Sequence, residues 1–117
     1  MNERDKVLLK DMLEASKRAQ AFIAGKNRED LEKDNALLGF ALVRAIKIIG
    51  ETASKITLET RQTYDDISWH NIIGMRNRIV HNYNNVDYDI VWEITTKNLK
   101  TLIPQLEKLL AEKDENL

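Results

Sequence analysis

Apolar residues recur along this chain at the three- and four-residue steps of a helix. Leu8, Met12, Ala15, Ala19 and Phe22 fall on one face and predict a first helix from about Glu3 to Ala24, ended by Gly25. Residues 26–33 are too charged to be core and read as a solvated turn or a short helical lead-in. A second long helix follows from a cap at Asp34 or Asn35 to about Lys55. It is apolar nearly all round, leaving only the narrow stripe of Arg44, Lys47, Glu51 and Lys55. Such a helix is either central in a bundle or buried by a second chain. A bundle of ~100 residues seldom surrounds one helix completely, so the pattern implies a dimer. Residues 57–67 lose the period and read as a connection with one helical turn, Asp65 and Asp66 being turn residues rather than a metal pair. Ser68 is placed to cap a helix over 69–82. Asp87 is placed to cap a last one reaching about Glu112, with Ile90, Ile94, Leu99, Leu102, Leu106 and Leu110 inward and a kink at Pro104.

Composition narrows this to an all-α fold. At 117 residues and 43% hydrophobic, the chain suits one domain over 1–117, and four Gly and one Pro against 32% charged residues favour long helices over turn-rich sheet. The expected architecture is an up-and-down bundle of four to five helices. A net charge of -1 gives no global pull toward nucleic acid, so any RNA site must be a local basic patch. There is no cysteine, and hence neither a disulfide framework nor thiol chemistry. Met1 to Lys10 is charged throughout, and the longest apolar run, Ala36 to Val43, falls far short of the ~20 residues that span a bilayer. The expectation is a soluble cytoplasmic protein without membrane contact.

Residues 74–83, Gly-Met-Arg-Asn-Arg-Ile-Val-His-Asn-Tyr, break the bland pattern. On a regular helix Ile72, Ile73, Met75, Ile79 and Val80 would cover one broad face with Arg76 near its middle, where an unpaired cation does not belong. His70, Gly74, Asn77 and His81 would form the opposite stripe, and Gly74 there would let another backbone come close. Glu51 is either a counter-charge for Arg76 or an ordinary surface acid.

The segment also resembles a known family. Arg76, four residues, His81, one residue and Tyr83 match the Arg-x4-His-x-Tyr signature of HepT-like HEPN domains. Ser68-Trp69, Ile72 to Arg78, His81-Asn82-Tyr83, Val86-Asp87 and Ile90 to Glu93 are similar to the family's core, and Ile49 to Ala53 to its second helix. The resemblance implies a HEPN-type helical bundle working as a homodimer and a metal-independent ribonuclease with no cofactor. It further implies a toxin paired with a minimal nucleotidyltransferase (MNT) antitoxin. By the same resemblance Arg76 and His81 are catalytic, Asn77 orients the phosphate or His81, and Tyr83 lines the site and accepts adenylate from the antitoxin.

The residues themselves fit that chemistry. Two histidines eleven apart and no cysteine match no zinc pattern, and neither a Gly-rich phosphate loop nor a nucleophile elbow is present. What remains is an imidazole that exchanges protons near neutral pH and a permanently charged guanidinium. Together they suit cleavage of RNA, in which the substrate's own 2′-hydroxyl is the nucleophile. On a straight helix Arg76 and His81 would stand about 140° and about 7.5 Å apart. Either the helix loosens at His81, or two copies share a site across a dimer axis. The competing reading is a non-catalytic HEPN dimer that binds RNA or nucleotide, or scaffolds a nucleotidyltransferase, with His81 and Tyr83 as interface residues.

Overall fold

In a computed structural model of the chain, which describes the backbone of residues 1–82 and 85–115 and the side chains of residues 1–80 and 85–112, the first helix, α1, spans Glu3–Phe22. Asn2 caps it by accepting from the Asp5 amide at 2.6 Å, and Gly25, at φ 74°, turns the chain away beyond it. Its inward face is Asp5, Leu9, Met12, Ser16 and Ala19. That is one step round from the expected face: Leu8 is half-buried and Phe22 exposed, while the polar Asp5 and Ser16 take inward positions. Ser16 is silent to a hydrophobic pattern since it satisfies itself, donating to the Met12 carbonyl at 2.8 Å.

Asp5 is buried for a different reason. Its carboxylate accepts from the Thr57 and Thr60 hydroxyls, both at 2.6 Å, and from the Thr57 amide at 3.2 Å, tying α1 to the start of α3 (Leu58–Thr63). Burial pushes this carboxyl up, but the hydrogen bonds from Thr57 and Thr60 outweigh it and hold the group below its ordinary 3.8. A carboxylate with a depressed folded pKa stabilises the fold above its unfolded pKa, and that contribution fades as pH falls through the folded value. Asp5→Asn, which faces these donors with an amide NH₂, is expected to lose about 1–3 kcal/mol at neutral pH. Urea melts at pH 7 and pH 3 check this: the gap between parent and variant should narrow at pH 3, and an unchanged gap would count against the charged network.

The charged link between the first two long helices holds a 3-10 helix, Arg28–Glu32, closed by a reciprocal capping box between Asn27 and Asp30. The expectation that residues 26–33 lie outside the core fails at Leu31, which is fully buried. Arg28 reaches across to Asp89 at 2.6 Å and to Glu32 at 2.8 Å, which raises its already high pKa and pins the link to the start of α6. Helix α2 spans Lys33–Lys55, but Asp34, Asn35 and Ala36 all have φ between 53° and 59°. The regular helix therefore follows a left-handed turn rather than an Asp34 or Asn35 cap. Gly39 is needed just beyond it, because a Cβ there would collide with the Tyr88 ring and sit 2.7 Å from the Leu31 carbonyl.

Helix α2 is the axis of the molecule, packed by α1, the 3-10 helix, α4 (Trp69–Ile73) and α5 (Met75–Ile79). Leu42, Ala45, Ile46, Ile49, Gly50 and Ala53 form its buried stripe. One chain does not cover the rest: Leu37 and Phe40 remain 70% and 67% exposed. After the short β1 (Val80–Asn82) and β2 (Asn85–Val86), the C-terminal arm runs through α6 (Tyr88–Glu93), a wide π turn at Ile94–Asn98 and α7 (Leu99–Glu115), and packs on α1. Ile94, Leu99, Leu102, Leu106 and Leu110 are buried as expected, with Ile90 half-buried. The arm has a π turn at Ile94–Asn98 that was not expected, and Pro104 sits inside α7. There the Leu99 amide bonds the Ile94 carbonyl, so the Thr95 carbonyl loses its usual partner and accepts instead from the Gln20 side chain at 2.5 Å. The result is an all-α bundle of the kind expected, with one two-stranded ladder added. No helix among the described residues is long and apolar enough to cross a membrane.

Candidate functional site

The site is set by a close crossing. A Cβ at Gly50 would stand 3.3 Å and 3.4 Å from the carbonyls of Ile72 and Ile73, so glycine lets the end of α4 lie directly on α2. Gly74, the residue expected to admit another backbone, has nearest to its Cβ position only the His70 and Asn71 carbonyls of its own helix. Its role is to break the helix. With φ −83° and ψ −4° it ends α4 and starts α5, and the Asn77 amide turns back to its carbonyl at 3.0 Å.

Trp69, Ile72, Met75 and Ile79 take the buried positions, and Trp69 donates its indole N–H to the Tyr64 carbonyl at 3.0 Å. Ile73 and Val80 are only half-buried, so the apolar face is narrower than expected and Arg76 lies outside it, exposed. Ser68 stands at the cap position of α4, but its side chain makes no capping bond.

Arg76 and Asn77 on α5 face Lys47, Glu51 and Ser54 on α2 across a groove of about 390 Å³ whose floor is Gly50 and Ile73. Three residues singled out by sequence, Arg76, Asn77 and Glu51, thus share one groove. Among the described residues no ion pair joins Glu51 to Arg76, and the polar ends of Lys47, Arg76 and Asn77 have no protein partner. Lys47 and Ser54 were not singled out. Lys47 stood in the polar stripe of α2 beside Glu51, which was the only available signal, because its pairing with Arg76 depends on the Gly50 crossing.

Helix α5 ends at Ile79, and the chain is extended from Val80, at φ −113° and ψ 108°. The helix therefore loosens before His81, while a site shared between two copies stays open beside it. Val80 pairs with Val86 and Asn82 with Asn85, leaving the His81 backbone as the extra residue of an irregular ladder, a bulge of the kind that re-aims side chains beside active sites. The Asp87 amide clamps the far side of this segment to the Ile79 carbonyl at 2.8 Å, while the Asp87 side chain caps α6 as expected, accepting from Asp89 and Ile90. The His81 side chain and the whole of Tyr83 lie outside the described residues. His70 is exposed on α4, and no group of three His, Cys, Asp or Glu among the described residues could hold a metal ion.

Such a groove offers an anion a guanidinium fork and an amide on one wall and an ammonium on the other, the Ser54 hydroxyl being spent on the Glu51 carbonyl at 2.6 Å. Comparison with known proteins points the same way. The family model described as ribonuclease HepT-like matches residues 12–109. A candidate RNase of Caldanaerobacter subterraneus is 38% identical over 90 residues, covering 77% of this chain and 76% of the relative. A candidate RNase of Methanocaldococcus jannaschii is 32% identical over 120 residues, covering 99% and 98%. The "Probable ribonuclease HepT" of Thermococcus cleftensis is 29% identical over 109 residues, covering 93% and 98%. No solved structure matches the chain significantly.

Proposed function

This chain belongs to the ribonuclease HepT-like family of the HEPN superfamily, and we propose that it acts there as a metal-independent endoribonuclease toxin. The observation that carries the reading is the groove in which Arg76 and Asn77 present unengaged polar groups beside the His81 bulge. In the proposed reaction a ribose 2′-hydroxyl attacks the adjacent phosphorus. The bond to the 5′-oxygen breaks, leaving a 2′,3′-cyclic phosphate on one fragment and a 5′-hydroxyl on the other. The proton lost by the 2′-hydroxyl and the one gained by the 5′-oxygen are the two transfers that need help, and His81 supplies general acid–base assistance. Arg76 binds the phosphate through its fork and offsets the charge that builds on its oxygens. Asn77 fixes either that phosphate or His81.

The active unit in this reading is a homodimer with the site composed between protomers. Supporting it, α2 carries Leu37 and Phe40 to solvent, and α1 adds the exposed Phe22, more large apolar surface than a lone bundle usually leaves on adjacent helices. The partner antitoxin is a minimal nucleotidyltransferase that adenylylates Tyr83. Incubation of the purified chain with total RNA in the presence of a chelator tests the activity. Discrete cleavage with cyclic phosphate ends is the expected result. RNA binding without cleavage would instead favour a non-catalytic HEPN dimer.

A further inference from the structure

We propose that Lys47 is a second phosphate-binding residue of the Arg76 groove, holding the RNA phosphate next to the one at which the strand is cut. The proposal rests on the ribonuclease reading above, and adds to it a sequence-independent grip on single-stranded RNA. Lys47 is half-buried on α2 and lines the same groove as Arg76 on α5. Neither Lys47 nor Arg76 forms an ion pair among the described residues, so both cationic ends in this shared groove are open to an anion. Two cations on facing walls repel one another, and the conformation gains most from an anion between them.

Glu51 is the one acid on the groove, a single turn beyond Lys47. A lysine four residues before a glutamate is the weaker order for a helical pair, and the pair is not formed. Its carboxylate makes the Glu51 end unfavourable to phosphate, so the strand is held toward Lys47. The whole chain carries a net charge of -1, so attraction for a polyanion has to come from local pairs of this kind. A single strand repeats its phosphates, and two cations can hold two in succession while Asn77 offers an amide to phosphate or ribose oxygens.

Lys47→Gln, compared with the parent by circular dichroism to confirm folding, is expected to raise KM for a short single-stranded RNA about tenfold, the cost of one charge-assisted hydrogen bond, and to leave kcat within about twofold. Binding of the same RNA, labelled and read by fluorescence anisotropy in a His81→Ala background, should show a plot of log affinity against log salt shallower by about 0.7. Lys47→Arg should keep the parental slope, and Glu51→Gln should tighten binding. The proposal is overturned if Lys47→Gln keeps the parental KM and salt slope, or loses kcat at unchanged KM, while Arg76→Ala abolishes cleavage. Parental cleavage by Arg76→Ala would instead remove the ribonuclease reading itself, so the two failures are distinguishable. Should Lys47→Gln unfold, Lys47→Arg and Glu51→Gln still decide, since parental affinity in Glu51→Gln overturns the electrostatic account.

Discussion

His81→Ala and Arg76→Ala are each expected to lower RNA cleavage by about 10²- to 10⁴-fold while leaving the fold intact. Loss of a positioned general acid or base costs that much, and loss of one charge-stabilising donor falls at the lower end of the range. Arg76 is exposed and supports no hydrogen bond among the described residues, so its removal takes nothing from the core. His81 joins the ladder region through its backbone, while the neighbouring Ile79 to Asp87 clamp does not need its side chain. Thermal melts within a few degrees of the parent would confirm that activity, not folding, was lost. If both variants cleave like the parent, this groove is not where RNA is cut.

The same pair tests how the site is assembled. In a composite site Arg76 comes from one protomer and His81 from its partner, so a heterodimer of the two dead variants contains one complete site and one doubly defective one. Mixing them after unfolding and refolding together would give heterodimers in about half the population, and hence roughly a quarter of parental activity. A site formed within one protomer gains nothing from mixing. A particle of 13.6 kDa by light scattering at micromolar concentration would sink both the dimer and the shared site.

Why some of this was legible in the sequence and some was not follows from particular residues. Helical spacing is a local property, so α1, α2 and the inward leucines of α7 could be read from their periods, and Asp87 from the type of residue that caps. Asp5 and Leu31 could not. Each looks like surface by its neighbours: Asp5 is buried against the threonines at 57 and 60, far along the chain, and Leu31 is the buried residue of an otherwise charged 3-10 turn. The motif residues were legible as chemistry, because a cation, an amide and an imidazole stand out of an apolar run. Their arrangement was misjudged where the helix was taken as continuous. The helix ends at Ile79, and with Ile73 and Val80 only half-buried the apolar face is too narrow to include Arg76, which lines the groove instead. The crossing at Gly50 then decides which residues of α2 meet it, a long-range relation that no periodicity reports.

Co-expression with the nucleotidyltransferase partner proposed above is expected to add adenylate from ATP to Tyr83 and to silence the ribonuclease. Tyr83 follows His81 by two residues, and both of its flanks are fixed: α5 ends at Ile79 before it, and Asp87 is bonded back to the Ile79 carbonyl after it. In the proposed mechanism a group attached at Tyr83, two residues beyond His81 in sequence, acts at the site that Arg76 serves. In the transfer, the phenol oxygen bonds the α-phosphorus of ATP, pyrophosphate leaves, and the phenolic proton passes to solvent or to a base of the partner. The product carries a phosphodiester anion and a nucleoside. That anion competes with the RNA phosphate for the same guanidinium, while the nucleoside occupies the approach to it. Inhibition on this account requires no change of fold, so the modified protein should melt like the unmodified one and fail to bind RNA. Tyr83→Phe should escape both the added mass and the loss of activity, and remain toxic when the partner is present. Intact-protein and peptide mass spectrometry of the co-expressed chain decides the matter: an unmodified Tyr83 in a fully neutralised toxin would mean that the partner acts by binding alone.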